Sequence, residues 1–397
     1  MIDLVLVNPN GRVPTLFAAV EPPLWLGLIA SYHLGQGNSV AIVDAEAEGL
    51  TIAETVQRVK ALSPRETIIV VMGNNPSVSS TPKMPVAQEL LKELPARLVG
   101  LHPNALNCPG TIRHPFEGFP SVPWQLLPLE KYRAHNWHCL GNLDQRGNYA
   151  SLYTSLNCPY SCSYCNIHAL YGDRQVRLRP LGDIKAELLQ LSSLGIRNIK
   201  LWDELFTLDE TRVIEICDFL SQWGFKFNIW AYARVDSVSE KMLAKMKQAG
   251  VNWLAYGFES AQEGKSKNAR RAVDMTRAAG ISIIANFMFG LPGETQDSMK
   301  ASLEMAVREN FEYVNFTVAL PYPGSPWYDS LKVKPTDWAS FSQFSPNICA
   351  VPAVVEFRDR AFQTYFGRPE YLSMIREKFG AKAEAHIKEM LKWKPRS

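Results

Sequence analysis

Residues 151–172 read SLYTSLNCPYSCSYCNIHALYG. A strand-like apolar start gives way to Asn, Pro and Ser, and three cysteines follow within eight residues: Cys158, Cys162 and Cys165. Thiols this crowded ask for a metal. The Cys-x3-Cys-x2-Cys spacing offers three thiolates, a soft donor set that suits an iron–sulfur cluster and leaves one iron of a cubane without a protein ligand. Structural zinc wants four closed ligands, and His168 is the candidate for a fourth. The other cysteines, Cys108, Cys139, Cys217 and Cys349, are scattered. Cys217, within EICDFL on a helical pattern, reads as a core thiol.

Downstream of this segment, strand-type runs recur at 198–202, 226–232, 252–258, 282–289 and 313–320, with helical patterns such as 183–195 and 240–250 between them. Counting 151–156, six βα units predict a partial (β/α)6 barrel of TIM type, with its chemistry at the carboxyl ends of the strands. Upstream, runs at 3–9, 39–47, 66–73 and 96–101 alternate with helices over 22–37, 51–62 and 84–94. That alternation predicts a doubly wound, Rossmann-like parallel sheet. From His102 to Tyr149 periodicity stops, and the stretch is too apolar to be a free linker. The expected organisation is α/β throughout: an N-terminal sheet domain (1–101), a connector packed against both neighbours (102–149), a barrel (150–326) and a C-terminal region (327–397), loop-like at first and helical at its end.

Hydrophobic residues make up 46% of the chain and charged residues 20%, a globular composition. The net charge of +3 is too small to argue for nucleic acid or a membrane surface. No apolar stretch reaches the roughly 18 residues that span a bilayer. The opening residues MIDLVLVNPNGR alternate like a strand and lack a basic n-region, so a cytoplasmic protein without a disulfide framework is expected.

The cysteine spacing, Tyr164 just before the third cysteine, and the position after the first barrel strand resemble the radical S-adenosylmethionine (SAM) superfamily. The resemblance implies a 4Fe–4S cluster on Cys158, Cys162 and Cys165, with SAM chelated to the open iron through its amino and carboxylate groups. One electron, from a donor such as flavodoxin or ferredoxin, would then release a 5′-deoxyadenosyl radical. Further segments match in the same order. Tyr164 would lie near the adenine. In WDELFTLD (202–209), Asp203 and Glu204 would meet the SAM amino group, and in ARVD (233–236) Arg234 would meet its carboxylate. In GFES (257–260), Glu259 and Ser260 would reach the ribose. In FGLPGET (289–295), Gly290 and Leu291 would present backbone to the adenine, and LPYPGSP (320–326) follows the sixth strand.

Residues 22–51 resemble the start of the cobalamin-binding domain found in cobalamin-dependent members of that superfamily, and residues 120–133 resemble the segment that leads from that domain into the barrel. The domain is shortened here and has no Asp-x-His-x-x-Gly, which favours a remnant used for packing or substrate binding over a working cobalamin site. Three functions follow for comparison. The first is hydrogen abstraction from a small molecule, with a sugar suggested by Tyr153, Trp202, Asn228, Trp230, Tyr232, Tyr256, Asn286 and Asn315 on or beside barrel strands. The second is cobalamin-dependent methyl transfer. The third is a non-catalytic cluster protein acting in electron transfer.

Overall fold

A computed structural model describes the chain except for residues 1, 12–16, 73–80, 101–119, 262–265, 336, 343–346, 348 and 393–397. Four strands open it: β1 (Ile2–Asn8), β2 (Val40–Asp44), β3 (Pro64–Val70) and β4 (Ala96–Val99). They pair in the order β2-β1-β3-β4, all parallel. Leu4 to Val7 of the inner strand β1 are buried, as a strand covered on both faces requires. Helices α1 (Leu24–Gly35), α2 (Ala45–Glu48), α3 (Ile52–Leu62) and α4 (Met84–Glu93) make the crossovers. A capping box starts α3: Glu54 N–H donates to Thr51 Oγ1, and the Glu54 carboxylate accepts from Thr51 N–H. The expectation that no further βα unit follows His102 lies outside the described residues over 102–119; over 120–148 the described residues form no βα unit.

The barrel sheet is parallel and in chain order. It runs from β5 (Tyr149–Leu152) past a short antiparallel pair, β6 (Ser155–Leu156) and β7 (Arg177–Leu178), to β8 (Asn198–Leu201), β9 (Asn228–Ala233), β10 (Val251–Glu259), β11 (Ser282–Phe289) and β12 (Tyr313–Val318). β5 and β12 lie at opposite edges of the six-stranded sheet, so the barrel is open. The single strand expected over 151–156 is split. Asp203 takes both the N–H and the hydroxyl of Thr154, at 2.7 and 2.6 Å, and the chain leaves the sheet there.

Around the barrel lie α5 (Ile167–Tyr171), α6 (Leu181–Ser193), α7 (Glu210–Gln222), α8 (Glu240–Gln248), α9 (Ser266–Ala278), α10 (Gln296–Glu309) and α11 (Pro326–Ser330). The C-terminal region is helical from earlier than its sequence suggests: α12 (Pro352–Phe366) precedes α13 (Pro369–Phe379) and α14 (Ala381–Lys392). Phe357 of α12 sits edge-on to Phe289, and the Tyr365 hydroxyl donates to Phe311 O, so α12 covers the β11–β12 side.

Between the two sheets, residues 120–148 form short 3-10 turns. Trp137 reaches in among Trp230, Trp253 and Tyr313, at ring separations of 5.1, 5.7 and 6.1 Å. His138 Nε2 faces Asn228 O at 3.0 Å. Asn228 and Tyr313 begin their strands, so this turn plugs the amino end of the barrel. A buried ion pair fastens the same connector higher up. Arg179 meets Glu187 at 2.5 Å, both side chains being essentially inaccessible, and Glu187 also accepts from Trp124 Nε1 and Val122 N–H. The Arg179 guanidinium further donates to Ser121 Oγ and lies over the Tyr153 ring. A buried pair survives desolvation only when such hydrogen bonds accompany it.

Candidate functional site

The loop after β5 is shaped first by Asn157. It adopts a left-handed conformation (φ 78°), which asparagine tolerates better than most residues. Its side chain is buried, donating to Asp173 O and Gln175 O and accepting from Cys158 N–H at 2.9 Å. Beyond it the three cysteines emerge half-buried on one loop. Burial pushes the Cys158 thiol up and Cys165 to about 12, while the N–H groups of Tyr160 and Ile167 favour their thiolates. His168 Nε2 lies 2.8 Å from Cys158 O, so that nitrogen donates to a carbonyl. That contact occupies one ring nitrogen of the residue read as a fourth zinc ligand.

Three other strand ends hold this loop. From β12, Trp327 N–H donates to Ser163 O and Pro323 O accepts from Asn166 Nδ2. Gly324 (φ 90°) packs so close that a Cβ there would stand 2.6 Å from Ala169 Cβ. From β8, Glu204 accepts from Asn157 N–H at 2.8 Å and from the Tyr171 hydroxyl at 3.2 Å. From β9, the Arg234 guanidinium carbon stands 3.8 Å from the centre of the Tyr160 ring.

The acidic pair expected to meet the SAM amino group is divided. Asp203 is 1% exposed and accepts from Thr154 N–H, Thr154 Oγ1 and Ser155 Oγ. Burial raises its pKa against those hydrogen bonds. Here it braces the β5–β6 turn rather than reaching toward the cysteine loop. Successive residues leaving a strand point to opposite sides, so Glu204 alone faces the cysteine loop. Burial lifts Glu204 to about 8.

At the next loops, Glu259 ends β10 at a bulge with φ 61° and folds back over Gly257, where a Cβ would come within 2.5 Å of its Oε1. Left-handed backbone at a non-glycine residue is a strain that clusters at functional sites. Ser260 Oγ donates to Glu294, which also accepts from the N–H groups of Gly290 and Leu291 at 2.7 and 3.2 Å. Glu294 therefore ties the β10 and β11 loops together through Ser260, and with their N–H groups engaged on Glu294, what Gly290 and Leu291 can offer a ligand is their carbonyl side. Tyr164 is partly exposed beside Cys165.

Five of the eight residues read as a sugar lining have the following contacts within the fold. Asn228 donates to His138 O and Asn198 at the plugged end, while Asn315 donates to Asn286 and Asn286 to Tyr256 O. Trp202 packs edge-on to Trp25, and Tyr256 OH pairs with Thr276 of α9. Sequence reasoning missed Asn157, Tyr160 and Glu294. Only the Glu four residues after Gly290 carried a signal.

Residues 152–306, most of the βα barrel with its three-cysteine loop, match the family model of the Radical SAM superfamily; such a domain implies a 4Fe–4S cluster and SAM, and the chain therefore contains a radical SAM domain. It is 25% identical to an uncharacterized methyltransferase of Pyrococcus horikoshii, across 82% of this chain and 81% of the relative. It is 23% identical to the cytidylyl-2-hydroxyethylphosphonate methyltransferase of Streptomyces wedmorensis over 62% of this chain, spanning 48% of that protein. Its fold is shared with the radical SAM methyltransferase TsrM of Kitasatospora setae, in a structure with cobalamin and a [4Fe-4S] cluster bound. That match has a TM-score of 0.65 at 15% identity and covers 98% of this chain and 100% of that one. No helix among the described residues is long and apolar enough to cross a membrane.

Proposed function

We propose that this chain is a cobalamin-dependent radical SAM methyltransferase acting on a small-molecule acceptor. The observation that carries the reading is the fold match along the whole chain. The TsrM chain is covered over its full length, so a short N-terminal sheet is no argument against a corrinoid. This reverses the order in which hydrogen abstraction and methyl transfer stood on sequence alone.

The arrangement of the two sheets supports it. Trp25, in the first turn of α1 and so near the carboxyl end of β1, packs on Trp202 at 5.3 Å and on Tyr171 at 6.1 Å. Trp202 follows β8 and Tyr171 belongs to the cysteine loop, so the carboxyl ends of the two sheets face each other. Cys158, Cys162 and Cys165 would hold the cluster, with Tyr160 and Ile167 N–H groups supporting the thiolates. The N-terminal sheet would hold the corrinoid on the side facing that loop. When bound, the cluster supplies an electron for cleaving SAM and the corrinoid a carrier for the methyl group. Glu204 and Arg234 bind the amino acid end of SAM, and the Glu294 bridge keeps the adenosine-side loops at fixed spacing.

The test is corrinoid content. Protein produced with abundant cobalamin and its uptake machinery is denatured in cyanide and its visible spectrum compared with a cobalamin standard. Near-stoichiometric corrinoid, with S-adenosylhomocysteine formed on turnover, supports methyl transfer. Corrin-free protein that still converts SAM to 5′-deoxyadenosine overturns it in favour of hydrogen abstraction.

A further inference from the structure

Arg234 is held on two sides by groups that no sequence motif assigned. Its Nε and Nη2 donate to the two carboxylate oxygens of Asp236, at 2.9 and 2.8 Å, which occupies the side-on edge of the guanidinium. One face is covered by the Tyr160 ring. Of its five N–H donors two are consumed, and Nη1, on the end-on edge, has no partner among the described residues. The backbone beneath is fixed as well: Arg234 N–H donates to Ser237 Oγ, and Ser237 Oγ meets Thr207 Oγ1 from the β8 loop at 2.6 Å. Only 23% of the arginine side chain is accessible.

We propose that Asp236 and Tyr160 are positioning residues that hold Arg234 so that its end-on edge meets the carboxylate of SAM beside the cysteine loop. This rests on Arg234 as a SAM contact and not on the fate of the methyl group. An unheld arginine side chain must be ordered when ligand binds, whereas a guanidinium already fixed by one carboxylate and one ring loses little further freedom. The side-on edge is neutralised internally and the end-on fork stays available for bidentate capture. Tyr160 lies between Cys158 and Cys162, so the same stack registers the arginine against the loop that would carry the cluster.

The experiment uses the anaerobically reconstituted full chain, its iron and sulfide counted, with SAM and decarboxylated SAM as binding probes. Asp236→Asn should weaken SAM binding about tenfold while changing affinity for decarboxylated SAM by less than about twofold. Tyr160→Phe, which keeps the ring, should bind SAM like the parent, and Tyr160→Ala should weaken SAM selectively. Equal weakening of both probes in Asp236→Asn would mean a merely structural role and overturn the proposal, as would unchanged or tighter SAM binding. Arg234→Ala run alongside separates the two layers. If it still prefers SAM as the parent does, the arginine assignment itself fails. If it loses that preference and Asp236→Asn does not, only the clamp fails.

Discussion

The two parallel sheets expose the same kind of edge and use it differently. At the carboxyl ends of β1 and β2 the described polar groups close on one another. Asn8 donates to Asp44 and accepts from Lys83, Lys83 pairs with Glu46 at 2.6 Å, and Tyr132 of the connector donates to the second Asp44 oxygen at 2.7 Å. At the carboxyl ends of the barrel strands the fasteners, Asp203 and Glu294, are likewise fully engaged, but half-buried thiols and one edge of Arg234 are left over. Both edges contain buried charge. What distinguishes a site from a joint is the remainder after every internal hydrogen bond has been counted.

The strongest way to break that distinction is at the thiols. Cys158→Ala, Cys162→Ala and Cys165→Ala should each abolish SAM cleavage, measured as 5′-deoxyadenosine or S-adenosylhomocysteine, and lower bound iron. Cys217→Ala, in the core of α7, should leave both intact. Cleavage surviving in any of the three would remove the barrel edge's claim to be the site.

A joint should fail by unfolding. Glu187→Gln leaves Arg179 buried without its counter-charge and should cost about 3–5 kcal/mol, read as a lower urea midpoint. A change below about 1 kcal/mol would mean that the connector is not fastened there.

His138 at the barrel's plugged end gives a pH-dependent version of the same test. Burial, with the nearby His135, holds it down to about 3 from an ordinary 6.5. The folded chain keeps it neutral while the unfolded chain takes up its proton as pH falls through 6.5. Its stability contribution is therefore complete above about pH 6.5 and declines toward pH 3. Between pH 7.5 and 5 the share of the loss due to His138 should be about 2 kcal/mol, and His138→Gln should lose that much less stability than the parent over the same range. An equal acid loss in the variant would place the sensitivity elsewhere.

The smallest effect is expected on the N-terminal edge. Lys83→Met leaves Glu46 and Asn8 short of a donor and should cost about 1–2 kcal/mol without changing SAM affinity. A fall in SAM affinity would show that the two edges are coupled through the packed interface at Trp25 and Trp202.

The two parallel sheets, the partial barrel and the cysteine loop were legible because each depends on local pattern: apolar runs of strand length, turn residues after them, and thiols at fixed spacing. Boundaries moved where tertiary contacts intervened. The strand over 151–156 broke because Asp203, 49 residues from Thr154, outcompeted the ladder for its backbone. Helix α12 escaped attention because its first turn follows an irregular stretch and its apolar face is defined by Phe289 and Phe311, which it meets only after folding.

By itself the sequence determined which residues stand at which strand end, since a βα repeat delivers each segment after a strand to the same edge of the sheet. It could not determine which way each side chain turns. Asp203 and Glu204 are equal as letters; strand geometry sends one to Thr154 and the other to the cysteine loop. Asp236 is two residues from Arg234 in the ARVD segment, so that half of the clamp is local. Tyr160 is far away in the chain, and only the packing of β9 beside the loop after β5 brings its ring onto the guanidinium, because ring stacking acts over a few ångströms and that proximity exists only in the folded chain.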